Sequence, residues 1–156
     1  MMKLTVAVAL AAFSPALAFA GGDGAHKWNS DEHGVVLGGY DVVAYHTQVQ
    51  PVRGRSAFTG RYEGGTFYFS SQENLAAFEK QPSRYAPRFG GFCAFGVAAN
   101  KARVSVDPAT FKIQNGELLL FFNDMYEGKK VNTKPMWEED PDKLYKDATA
   151  TWPTLE

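Results

Sequence analysis

Hydrophobic and polar positions fall into short blocks along the chain. The first apolar block, Leu4 to Phe13, is ended by Ser14-Pro15. A polar, glycine-rich stretch follows, GGDGAHKWNSDEHG (21–34), expected as a flexible lead-in whose last part docks on the domain. GGYDVVAYH (38–46) is apolar and opened by glycines, and at this length periodicity does not separate helix from strand. RSAFTGRYEGGTFYF reads as a β-hairpin turning at Gly64-Gly65, because that pair accepts the positive φ of a tight primed turn. Ser70 and Glu73 have capping-box spacing and predict a helix with Leu75 and Phe78 on one face. Gln81-Pro82 ends that helix, and SRYAP makes a further short turn.

Gly90-Gly91 then breaks the chain, and CAFGVAAN, opening on Cys93, predicts a short helix. VSVDPATFKI and ELLLFF read as strands joined by Asn115-Gly116, a strong hairpin signal. The tail is expected to be helical: Asp140 caps it, Pro141 suits its first position, and Leu144, Ala148 and Trp152 recur every four residues. No internal repeat and no interdomain linker is read from the pattern. The fold class expected is α+β, a small single domain of β-hairpins packed against short helices. Three segments are expected: 1–20, 21–37 as a flexible N-terminal segment, and 38–156 as the domain with a C-terminal helical extension.

Composition changes this picture chiefly at the amino terminus. Lys3, the apolar run and Ala18-Phe19-Ala20 have the layout of a cleavable signal peptide with a cut after Ala20. A periplasmic or secreted chain is therefore expected, and no later apolar run is long enough for membrane insertion. Without Lys3 the basic residues number 16 − 1 = 15 against 17 acidic ones. With charges scattered and no basic block, neither nucleic acid nor anionic lipid is expected as a partner. Cys93 is the single cysteine, so within one chain it is buried, ligating, or open to a partner.

GYDVVAYH, YEGGTFYFSSQENLAAFEKQPSRYAP and FGGFCAFGVA together resemble the YHS domain family, in its secreted single-domain branch. The resemblance runs from about Gly38 to Phe122, and Trp137 and Trp152 fit the same branch. It implies a treble-clef-like core followed by C-terminal helices. It also implies metal handling, with copper first and zinc as the alternative. Relatives that bind metal carry Cys-x-x-x-Cys, or a His variant, where this chain has Ser70 and Asn74. Neither side chain is a soft ligand, so the thiolate site for copper(I) or zinc is missing at that junction.

Cys93 is left as the candidate metal ligand, with His46 or His33 assisting, and Met125 and Met136 as soft thioethers. A helix start beside Gly90-Gly91 would favour a thiolate, whereas Phe92 and Phe95 would quiet it. Tyr45, Phe92 and Phe95 are the candidate lining of a small-molecule pocket. Asp41 is read as a cap or turn acceptor for the segment starting near Val42. No Cys-x-x-Cys, Gly-x-Ser-x-Gly, His-Glu-x-x-His or haem motif occurs. The leading expectation is a non-enzymatic binding protein that handles a metal ion through Cys93. A single-thiol redox protein, or a small-molecule or partner-binding module with a structural cysteine, remains as an alternative. Partners expected are a metal ion or small molecule and a periplasmic or membrane protein.

Overall fold

The computed structural model describes residues 27–156. The expected signal peptide and its cut site lie outside the described residues. The fold is α+β, as expected, and its strands form three separate antiparallel hairpins. A 3-10 turn, Leu37–Gly39, leads into α1 (Val42–Thr47), β1 (Arg55–Tyr62), β2 (Gly65–Phe69), α2 (Gln72–Lys80) and α3 (Pro82–Tyr85). A second such turn, Arg88–Gly91, leads through the helical segment 94–100 into β3 (Asp107–Gln114) and β4 (Glu117–Phe121). Then come β5 (Asn123–Tyr126), β6 (Lys129–Asn132), α4 (Thr133–Glu138) and α5 (Pro141–Thr151). No helix among the described residues is long and apolar enough to cross a membrane.

Local chemistry explains where the elements begin. Asp41 settles the 38–46 ambiguity toward helix, since its carboxylate accepts from the Val43 and Ala44 amides. The first hairpin turns at Glu63-Gly64, both with positive φ (44° and 82°), one residue before the expected pair. Gly65 instead opens β2, where a Cβ would sit 2.8 Å from the Trp28 ring and 2.9 Å from Val36. The cap of α2 is Ser71 rather than Ser70, its hydroxyl accepting from the Asn74 amide at 3.1 Å. Ser83, Arg84 and Tyr85 of SRYAP form the last part of a four-residue helix. The β5–β6 hairpin, absent from the sequence reading, turns at Glu127-Gly128 with φ of 48° and 75°.

β4 divides the interior. Leu118 and Leu120 join one cluster with Trp28, Tyr45, Phe67 and Phe78, while Leu119 and Phe121 join another with Phe89, Trp137 and Trp152. Alternation along a strand buried on both faces is why residues 118–121, LLLF, are continuously apolar. Residues 27–37 are folded onto the domain. Trp28 is 5% exposed and donates from Nε1 to the Glu63 carbonyl at 3.0 Å, and the Asn29 amide donates to Gly90 O at 2.8 Å. Gly90 is required for this close approach, because a Cβ there would stand 2.0 Å from the Lys27 carbonyl oxygen.

The structure also overturns the reading that the chain lacks an internal repeat. In the first hairpin Arg55 pairs with Phe69, a bulge follows, and Thr59, Gly60, Arg61 and Tyr62 pair with Tyr68, Phe67, Thr66 and Gly65. The second hairpin repeats every pair and the bulge at an offset of 107 − 55 = 52 residues, from Asp107 with Phe121 to Gln114 with Glu117. The positive-φ residues follow at the same spacing: Leu37 and Phe89, Gly38 and Gly90, Gly39 and Gly91, Val49 and Lys101, Glu63 and Asn115, Gly64 and Gly116. Residues 37–70 and 89–122 are thus two units with one backbone plan.

Candidate functional site: two buried centres and a cleft

Each unit has a buried polar atom where its helix begins. In the first, Asp41 is 0% exposed. Its Oδ1 accepts from the amides of Val43 (2.9 Å) and Ala44 (3.2 Å). Its Oδ2 accepts from the Ser70 amide (2.8 Å), Ser70 Oγ (2.6 Å) and Asn74 Nδ2 (2.7 Å). Five donors on one carboxylate tie the start of α1 to the end of β2 and the first turn of α2. A buried charge is tolerated when its lone pairs are filled in this way. The expected cap role of Asp41 is therefore half of what it does. Ser70 and Asn74 complete the centre.

In the second unit the corresponding atom is Cys93 Sγ, also 0% exposed. The Gly96 and Phe122 amides both donate to it at 3.4 Å, and Thr133 Oγ1 lies 3.2 Å away. His46 stands elsewhere, packed edge-on against Tyr85 with ring centroids 5.4 Å apart, its Nε2 hidden from solvent without a hydrogen-bond partner. His33 is exposed, 3.7 Å from Glu32 Oε1. Met125 and Met136 are exposed at 57% and 42%. Cys93, His46 and His33 are not brought into one environment.

The donor set does not fit copper or zinc. Cys93 Sγ is surrounded by two backbone N–H groups that donate to it and by the Thr133 hydroxyl, which leaves a metal ion no second soft ligand. The Asp41 centre holds only oxygen and amide groups already bonded to one another. Among the described residues no group of three or more His, Cys, Asp or Glu could hold a metal ion.

Of the expected pocket residues, Tyr45 is fully buried, with its hydroxyl donating to Pro108 O at 2.7 Å and its pKa raised by burial. Phe92 and Phe95 are half-buried against the second core cluster. A cleft of about 410 Å³ lies elsewhere, where the two hairpin tips face the C-terminal helices. Tyr62 and Glu63 come from the first tip, Glu117 from the second, Arg88 from the chain between them, Trp28 from before the first hairpin and Trp152 from the C-terminal end.

Charges on this cleft are paired. Lys27 bonds Glu63, which lifts the ammonium pKa and holds the carboxylate below its usual range. Tyr145 bonds Glu117, whose Oε2 is 3.5 Å from Arg88 Nε. That contact lacks hydrogen-bond geometry, so Arg88 Nε and the Thr149 hydroxyl oxygen are both hidden without a partner. Sequence reasoning missed these residues because they lie on five separate segments. The only signal was the turn chemistry that places Glu63 and Glu117 at hairpin tips.

The His46 environment has a measurable consequence. Burial chiefly, with the nearby Arg84 charge, pushes its pKa below 6.5, partly opposed by a hydrogen bond with the Tyr85 backbone. The unfolded chain, with an ordinary histidine, takes up a proton before the folded one does. His46 therefore contributes stability above about pH 6.5 that is lost as pH falls through the folded pKa. Urea unfolding between about pH 7.5 and 5 is expected to show this loss, and a His46→Gln variant to lack that part of the slope. Equal slopes in the two proteins would contradict the assignment.

Hairpins joined to capped helices make up a small α+β domain. Within it, the family model described as YHS domain matches residues 43–89, so the chain carries a YHS domain over that segment. The match spans most of the first unit, α2 and α3, and stops at the start of the second unit. No curated protein and no solved structure matches the chain.

Proposed function

We propose that the protein is an exported, non-enzymatic YHS-type binding module that takes a small organic ligand in the cleft between its hairpin tips. One observation carries this reading: the cleft joins aromatic walls to two hidden, unpartnered polar atoms, Arg88 Nε and Thr149 Oγ1. Unsatisfied polar atoms of this kind are uncommon in folded proteins and call for a partner such as a water, an ion or a ligand group, and the cleft beside them has room for the last. The rim charges already neutralise one another, which favours a neutral or zwitterionic ligand over a strongly charged one. Export rests on the sequence layout of residues 1–20.

Native mass spectrometry of protein purified from the periplasm tests the reading. An organic adduct is expected, weakened in an Arg88→Ala variant that retains the wild-type melting temperature. A copper or zinc adduct lost on Cys93→Ser would restore the metal role. An organic adduct unaffected by Arg88→Ala would remove the cleft.

A further inference from the structure

We propose that the chain contains two diverged copies of one unit, residues 37–70 and 89–122, and that Cys93 is the second copy's counterpart of Asp41, an internal cap rather than a ligand or redox thiol. The shared strand register and positive-φ positions show a common backbone plan. Hydrogen bonds around the two centres carry the argument from backbone to side chain. The Asp41 amide donates to Val52 O at 2.8 Å, and the Cys93 amide to Val104 O at 2.9 Å, the same relation at the same offset. Ala44 N donates to Asp41 Oδ1, and its counterpart Gly96 N donates to Cys93 Sγ. Ser70 N donates to Asp41 Oδ2, and its counterpart Phe122 N donates to Cys93 Sγ.

Three backbone relations and two side-chain acceptors coincide without a gap in the alignment. The chance that unrelated segments would place a bulge, six positive-φ residues and an acceptor at one common offset is small. The units diverge just past the strand end. After β2 the chain passes through Ser70 and the cap Ser71 straight into α2, whereas after Phe122 it makes the β5–β6 hairpin before the cap Asn132 and α4. Helix residues close both centres: Asn74 reaches Asp41 from α2, and Thr133 reaches Cys93 from α4. Sulfur accepts more weakly than a carboxylate, and three neighbours replace five donors.

This inference is independent of the cleft, which Cys93 does not line. It is tested by native-state hydrogen exchange on wild type, Cys93→Ser and Cys93→Ala, with thiol labelling of the folded wild type. The Gly96 amide is the cleaner reporter, since Phe122 N also reaches Thr133 Oγ1 at 3.1 Å. Cys93→Ala is expected to speed exchange at Gly96 by about tenfold while leaving Val43 and Ala44 unchanged. Cys93→Ser, which keeps an acceptor, is expected to stay close to wild type. The folded thiol is expected to resist Ellman's reagent until the protein is unfolded. Rapid labelling of the folded protein overturns the proposal. So does an alanine variant whose Gly96 exchange matches that of the serine variant. If Cys93→Ala does not fold, Cys93→Val, which also lacks an acceptor, takes its place, and Gly96 exchange matching that of the serine variant then counts against the centre.

Discussion

Asp41→Ala is expected to cost about 4 kcal/mol, a large fraction of the roughly 5–15 kcal/mol that holds an ordinary domain folded. Five donors lose their acceptor at once: the amides of Val43, Ala44 and Ser70, the Ser70 hydroxyl and the Asn74 side chain. A buried donor left unpaired costs about 1–3 kcal/mol, and relaxation of Ser70 and Asn74 toward water keeps the total below a simple sum. For a chain of this size the melting temperature should fall by on the order of 10 °C. Asp41→Asn keeps an acceptor for the α1 cap but turns an NH₂ group toward three donors, so an intermediate loss of about 2 kcal/mol is expected. Urea denaturation of both variants decides the matter. An alanine variant within about 1 kcal/mol of wild type would mean that the centre is not what joins α1 to α2.

The second large effect is expected at Trp137. It is fully buried in the second core cluster, stacks against Phe121 with centroids 5.6 Å apart, and donates from Nε1 to Gln114 Oε1 at 2.9 Å. Trp137→Ala should cost about 3–5 kcal/mol through the cavity and the stranded Gln114 carbonyl. Trp137→Phe keeps most of the ring packing and should cost about 1–2 kcal/mol, chiefly the hydrogen bond. If thermal melts place the two variants together, the hydrogen bond rather than the packing holds the C-terminal helices on β4.

What was legible in the sequence was local. Asn115-Gly116 marked its turn because that pair accepts positive φ whatever surrounds it. Asp140-Pro141 started α5 because a cap and an N1 proline act within one helical turn. Glu63, an ordinary residue at positive φ, shifted the first turn by one position because Gly65 was needed for packing against Trp28. Ser70 and Ser71 offered two equivalent caps, and only the carboxylate of Asp41, distant in sequence, decides between them. The repeat was hidden for a related reason. Its units share backbone shape and few side chains: Gly38, Gly39, Val52, Ala57, Gly64 and Phe69 recur, while Leu37, Asp41 and Tyr45 become Phe89, Cys93 and Val97. Identity of fold resides in φ and in hydrogen-bond direction, neither of which a composition reading sees. Cys93 could not be assigned for the same reason, since Thr133 and Phe122 reach it from far along the chain.

The seat of Trp28 sets an order of assembly. Its indole lies over the β1–β2 turn and Gly65, and the next residue bonds Gly90, so the seat is built from residues synthesised well after the tryptophan itself. Closing such a distant contact requires the first hairpin and the turn at Gly90 to be in place. The first described residues to leave the ribosome are therefore among the last to settle, and the fluorescence of Trp28 would report completion of the fold rather than its beginning.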